Sequence, residues 1–302
     1  MSGLYPFAPH YVEVAGRSAG RHRMHYADEG QGTPVLMVHG NPSWSFFYRD
    51  LIEALKSSHR MIAPDHIGCG RSDKPNDDHY DYTLSTRVAD LGTLVDSLDL
   101  RDITLVVHDW GGMIGMAWAT QHADRIAKLV VMNTAAFPLP ADKKLPASLA
   151  LARTPGIGAL LVRGANAFSR GAARYCVTRR PMSKAVAAGY LEPYDNWAHR
   201  IPVHRFVQDI PLAEDDRAYP VVRETADALV RLVDKPMLIC WGLKDSVFGH
   251  QFLDEWIRRF PSAEIQRFED CGHYVLEDAG EEIISLVCEF VDSTTRPTDK
   301  SE

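Results

Sequence analysis

The chain has 302 residues, of which 45% are hydrophobic and 24% charged, the balance of a soluble globular enzyme with room for a sizeable core. Its net charge of −7 gives no reason to expect nucleic acid or an anionic membrane surface as a partner. No uncharged apolar run approaches the roughly 20 residues of a membrane span, and Met1-Ser2-Gly3-Leu4-Tyr5-Pro6 does not read as a signal peptide, so a cytoplasmic protein is expected. Five cysteines (69, 176, 240, 271 and 288) are scattered, with no C-x-x-C pair to suggest zinc or redox chemistry. Neither a metal nor a cofactor is expected. Reduced, inert thiols are the default, although Cys271 stands close enough to His273 to be a candidate for oxidation.

In chain order, Tyr11–Val14 and His22–Ala27 alternate and predict an opening antiparallel pair, with Gly16 and Gly20 in the turn. Val35–Val38 predicts a buried strand, and Phe46–Leu55 a helix. Arg60–Ala63 predicts a strand entering the loop Pro64–Ser72. That loop lacks G-x-x-x-x-G-K-[ST] and an acidic partner for a ribose, which excludes a nucleotide site. Leu84, Val88, Leu91, Leu94, Val95 and Leu98 fall at helical spacing after Thr83, a plausible N-cap. Ile103–Val107 is a continuous apolar run that meets His108-Asp109-Trp110-Gly111-Gly112, and a helical pattern follows at once. Leu129–Asn133, Met237–Trp241 and Glu264–Phe268 predict further strands, with helices over Gln251–Arg259 and Glu281–Val291. Strands alternating with helices predict a mostly parallel eight-stranded sheet covered on both faces. The polar last ten residues are expected to fray.

The alternation breaks between Phe137 and Leu232. Helical stretches (Leu149–Val162, Ala185–Leu191, Thr225–Leu232) are punctuated by nine prolines, with no convincing strand. This predicts a helical cap over 137–232 inserted into a core made of 1–136 and 233–302.

The chemistry gathers at Asp109. The stretch Val107-His108-Asp109-Trp110-Gly111 resembles the nucleophile elbow of α/β-hydrolases, with valine for the first glycine and aspartate for the serine. An aspartate before a helix is also an ordinary N-cap, so its company decides. In that fold the nucleophile is followed along the chain by an acid and then a histidine. His273, in Asp270-Cys271-Gly272-His273-Tyr274, fits the third place. For the acid, Asn133 carries no charge, whereas Asp245 follows Trp241, and Asp254 and Asp270 are weaker rivals. The loop His39-Gly40-Asn41-Pro42 and the residue after the nucleophile place two backbone amides, those of Asn41 and Trp110, at an oxyanion site. Their side chains add an amide and an indole N–H for a departing anion, although ordinary packing would explain Trp110 alone. A carboxylate attacks without first losing a proton, which points to an electrophilic carbon with an anionic leaving group or to a strained ring.

Together these motifs resemble the haloalkane dehalogenase family over the whole chain. The resemblance implies an α/β-hydrolase fold, Asp109 as nucleophile, Asn41 and Trp110 as leaving-group ligands, and Asp245 with His273 completing the triad. Longer runs resemble the β-lactone decarboxylases of bacterial long-chain olefin biosynthesis. These are Asn41–Phe46, Asp65–Gly70, Asn133–Pro140, Leu160–Gly164, Pro193–Trp197 and Arg205–Leu212. That resemblance implies decarboxylation of a cis-β-lactone carrying two long alkyl chains to a cis-alkene, on a hydrophobic small-molecule substrate. It also implies association with the lactone-forming synthetase and the preceding reductase. The Ala-, Gly- and Leu-rich stretch Leu149–Val162 would suit a wall for alkyl chains or simply a core helix. Dehalogenation stands as the alternative. An epoxide hydrolase would need two of Tyr175, Tyr190, Tyr194 and Tyr219 over the site, and a non-catalytic binder would not need the triad.

Overall fold

Eight strands form one sheet: β1 His10–Ala15, β2 Arg21–Glu29, β3 Pro34–Val38, β4 Arg60–Pro64, β5 Ile103–Asp109, β6 Ile126–Thr134, β7 Met237–Gly242 and β8 Glu264–Phe268. Their order across the sheet is β1-β2-β4-β3-β5-β6-β7-β8. β1 pairs antiparallel with β2, and β2 with β4; all other pairs are parallel. The structure is a computed structural model of the chain and describes residues 3–293. Apart from Ser293, the polar C-terminal decad therefore lies outside the described residues.

The helices are α1 Arg49–Leu55, α2 Leu84–Ser97, α3 Trp110–Gln121, α4 Ala147–Arg153, α5 Ile157–Ala159, α6 Ala167–Tyr175, α7 Lys184–Leu191, α8 Ile201–Gln208, α9 Tyr219–Ala228, α10 His250–Arg259, α11 Val275–Asp278 and α12 Gly280–Asp292. Among the described residues none is long and apolar enough to cross a membrane. The two-residue period of the central strands splits the core into two layers. Leu36, Val38, Leu105 and Val107 pack on one face with α2, α3 and α10. Val35, Met37 and Val106 pack on the other with α1 and α12. Both faces are covered, so β5 is buried along its whole length, as its unbroken apolar run predicts.

Between β6 and β7 the chain is helical throughout its regular elements, α4 to α9, with a small apolar cluster of its own: Ala152, Val162, Tyr194, Val203 and Val207. The reading of 149–162 as one helix needs correction. Thr154 is extended and Gly156 takes φ +74°, so α4 ends at Arg153 and a wider turn resumes over Leu160–Gly164. Pro155 and Gly156 are the breakers. α6 and α8 were not foreseen from periodicity. Thr83 caps α2 as expected, its hydroxyl accepting from the Thr86 amide.

Register brings the strand ends together. Val38 lies opposite Val107, Asp109 opposite Thr134, and Gly242 opposite Phe268. The loops after β3 and β5 thus leave the sheet side by side, at the point where strand order reverses, which is where open α/β sheets bind ligands, and those after β7 and β8 leave the same end of the sheet farther along. The turn from β5 into α3 has no slack. A Cβ on Gly111 would stand 1.9 Å from the Val38 carbonyl oxygen, a backbone atom that cannot swing away. Gly111→Ala should therefore cost on the order of 3 kcal/mol or more. Gly92→Ala, in α2, would meet only ordinary contacts at 3.4 Å and should gain up to about 1 kcal/mol from helix propensity. Urea unfolding of the two variants checks both signs.

Candidate active site

Asp109 ends β5 with φ 52° and ψ −126°, a conformation costly for a residue with a Cβ. It occupies the position before α3 but makes no side-chain capping bond, so the N-cap reading does not describe it. Neighbouring backbone imposes the turn. Thr134 donates its hydroxyl to the Asp109 carbonyl oxygen, and a Cβ on Gly112 would stand 1.9 Å from that hydroxyl. On the other side, a Cβ on Gly40 would fall 2.0 Å from Asp109 Oδ1. The absence of a side chain there lets the Asn41 amide donate to Asp109 Oδ1 at 2.6 Å. The strain turns the carboxylate off the sheet edge toward the loops.

His273 lies between two carboxylates. Its Nδ1 donates to Asp245 Oδ2 at 2.7 Å, and its Nε2 lies 3.4 Å from Asp109 Oδ2. Burial works against its charged form, but Asp245 and Asp109 overcome that and push its pKa up to about 10. Burial likewise works against ionised Asp109 and Asp245, yet the imidazolium holds both below the usual carboxylate range. Asp245 is fully engaged. Its Oδ1 accepts from the amides of Val247 (2.7 Å) and Phe248 (3.1 Å), and its Oδ2 accepts from His273 and from Asn133 Nδ2 at 3.0 Å. The rivals drop out: Asp254 and Asp270 are exposed, and Asp270 pairs with Arg179.

Asn41 and Trp110 flank Asp109. The Asn41 side chain donates one N–H to the Val203 carbonyl of α8 at 3.2 Å, leaving a second hydrogen on Nδ2. Its backbone amide, expected at the oxyanion site, is engaged by Asp109 in the resting arrangement. The amide of Trp110 opens α3, where helix geometry supplies no acceptor. Its ring packs on Phe206 of α8, with centroids 5.3 Å apart. The buried Arg87 guanidinium stands 3.6 Å from the centre of the same Phe206 ring, and its three nitrogens have no hydrogen-bond partner among the described residues.

Several residues here escaped the sequence. Asn133, set aside because it lacks charge, holds Asp245 and also accepts from the Gly242 amide at 2.8 Å. His108 bonds through Nε2 to the His273 carbonyl oxygen at 2.8 Å. Burial and the His273 charge push its pKa down to about 3, so it is a neutral buttress. Phe248 stacks on His273 at 5.6 Å. No pattern in the sequence singles out these two. Cys271, the one thiol named as a candidate for oxidation against a default of inert cysteines, is fully buried, and burial pushes its thiol up to about 12. Lack of access and scarcity of thiolate favour the inert default.

An apolar cavity lies behind Phe248, the ring that stacks on His273. It is lined by Met113, Phe137, Leu149 and Ile210 together with Phe248 and Phe252, with Lys143 and Lys144 also on its wall. Of the tyrosines weighed above, Tyr190 donates to Glu277, Tyr194 to the Ser43 carbonyl, and Tyr175 is exposed. Among the described residues there is no cluster of metal-ligating side chains.

A family model described as the alpha/beta hydrolase fold matches residues 33–280. The chain belongs to that family. Within it, the chain is 51% identical to the cis-3-alkyl-4-alkyloxetan-2-one decarboxylase of Shewanella oneidensis, over 96% of this chain and 90% of the relative. It is 45% identical to the protein of the same name from Xanthomonas campestris, over 95% and 97%. A haloalkane dehalogenase of Mycobacterium marinum is 36% identical over 94% and 93%. Among solved structures, haloalkane dehalogenase DpaA from Paraglaciecola agarilytica superposes with TM-score 0.81 at 30% identity, covering 97% of this chain and 95% of that one.

Two measurements probe this geometry. Asn133→Ala leaves the Gly242 amide and one Asp245 lone pair unmet and should cost about 1–3 kcal/mol in urea unfolding. The second concerns pH. The folded pKa of His273, about 10, lies above an unfolded value of about 6.5. Its contribution to stability is therefore complete below about pH 6.5 and is lost as pH rises toward about 10. The unfolding free energy of the wild type should fall across that window, and His273→Phe should lose this component of the slope.

Proposed function

We propose that this protein is a β-lactone decarboxylase, converting cis-3,4-dialkyl-oxetan-2-ones to cis-alkenes and carbon dioxide with Asp109 as nucleophile. What carries the reading is the identity of 51% and 45% to proteins so named, over nearly the whole of both chains. The site geometry supports a carboxylate nucleophile and an anion site but is common to both candidate reactions.

Asp109 attacks ring carbon C4, and the C4–O bond breaks. The ring oxygen becomes part of a carboxylate on C3, held by the side-chain N–H groups of Asn41 and Trp110. The bond from C3 to that carboxylate then breaks. Its electron pair forms the C3–C4 double bond, and the C4–Asp109 ester bond breaks to return the Asp109 carboxylate. The balance is one lactone to one alkene and one CO2, with no water consumed. Inversion at C4 followed by anti loss converts a cis-lactone to a cis-alkene. His273, positioned and charged by Asp245, remains an imidazolium and stabilises departing Asp109.

In this reading residues 137–232 form the cap over the site, and the apolar cavity behind Phe248 takes alkyl chain. The protein acts in the cytoplasm in long-chain olefin formation, alongside the synthetase that closes the lactone and the reductase that precedes it. Haloalkane dehalogenase is the second reading, favoured by relatives such as the 36% identical M. marinum enzyme. There, Asp109 forms an alkyl ester that water must hydrolyse. Esterification removes one of the two negative charges on His273, which lowers its pKa and frees it to act as base.

Turnover in H2-18O separates the two. Decarboxylation predicts alkene, no halide from bromoalkanes at comparable rates, and no 18O in the Asp109 peptide by mass spectrometry. Halide release with 18O entering Asp109, and an inert lactone, would sink the decarboxylase reading. Asp109→Ala should lose about 10⁴-fold or more in rate with either substrate.

A further inference from the structure

The net charge of −7 conceals a strong asymmetry. Residues 137–200 carry ten Lys and Arg against three Asp and Glu. Arg153 and Arg179 are neutralised by Asp216, Asp270 and Glu282. Lys144, Arg170, Arg174, Arg180 and Lys184 are exposed, and among the described residues none of these five is in an ion pair. Large apolar side chains stand in the same stretch. Leu151 is 47% exposed, Ile157 49% and Leu160 67%. They occupy α4, α5 and the turn after them, segments packed against one another. Trp197, 45% exposed, lies under the Arg163 guanidinium of that turn at 4.5 Å. Aliphatic residues that a monomer would bury, an exposed tryptophan and unpaired cations on one helical segment are the composition of a surface that rests on anionic lipid.

We infer that this face, α4 to α7 with Trp197, docks on an anionic lipid surface. The apolar residues enter the headgroup boundary and the cations meet the phosphates. Charge complementarity selects this occupant, and the acidic remainder of the chain orients the molecule with the basic face toward the bilayer. α4 links the surface to the interior, since it exposes Leu151 and turns Leu149 into the apolar cavity whose wall includes Phe248, the ring stacked on His273. The docking surface stands on these observations alone. That the surface delivers a dialkyl lactone along this cavity rests on the decarboxylase reading.

The test is co-sedimentation of the full chain with vesicles of phosphatidylglycerol and phosphatidylcholine in equal parts, against phosphatidylcholine alone. The wild type should bind the mixed vesicles about tenfold or more tightly. Ile157→Ser with Leu160→Ser, and separately Arg170→Glu with Arg174→Glu and Lys184→Glu, should each weaken that binding about tenfold. Both variants should keep the wild-type melting temperature and turnover of a short-chain lactone in solution. No binding by the wild type, or undiminished binding by both folded variants, overturns the inference. So does a dimer that the serine variant abolishes without loss of vesicle binding, since the face would then belong to a second copy. Vesicle binding without lactone turnover overturns the reaction proposed above and leaves the docking surface standing; turnover without binding does the reverse.

Discussion

An imidazolium held between two buried carboxylates sets the terms for everything around it. Charges taken out of water are tolerated only when each is paired and its remaining lone pairs are met. Asp245 meets this with four donors and Asp109 with the Asn41 amide and His273. These groups come from the ends of β3, β5, β6, β7 and β8. The sheet must therefore hold its register for the charges to be balanced at all. The small residues at Gly40, Gly111 and Gly112 follow from the same demand, since each lets one backbone segment approach another closely enough to place a donor or a carboxylate.

The central strands and the placing of Asp109 and His273 together were legible because each rests on a local signal: an unbroken apolar run, glycines after it, and chain order. Asp245 was reached by eliminating Asn133 for its lack of charge. The chemistry of that elimination is sound, yet it hides the outcome, because Asn133 remains beside the acid as its support. A residue that acts through another leaves no trace in spacing. His108 and Phe248 escaped for the same reason, as their value lies in which ring they meet across the sheet edge.

The helical segment between β6 and β7 was harder to read because its apolar residues do not all face a core. Leu149 and Val162 are buried while Leu151, Ile157 and Leu160 are not, so periodicity suggested one long helix where Pro155 and Gly156 impose a break. Helix α6 buries only Ser169, Ala172 and Ala173, small side chains that contribute little to an apolar pattern. Total charge is limited in a similar way. A sum over the chain says nothing of how charge is distributed, and here the distribution carries the information.

The strained turn at Asp109 also has a consequence for how such a protein changes over time. Its geometry is locked by backbone contacts within the sheet, whereas the segment over it has a small core of its own. Three hydrogen bonds tie that segment to the loop after β3: Asn41 to Val203, Trp44 to Gly189 and Tyr194 to Ser43. Substitutions in the helical segment that leave Val203 and Phe206 in place can reshape the cavity without moving the contacts of Asn41 and Trp110. The backbone of the turn is thus set by the sheet, while the surroundings of Asn41 and Trp110 are shared with the helical segment. A fold built this way can fit a longer chain in the cavity while the strained turn at Asp109 keeps its geometry.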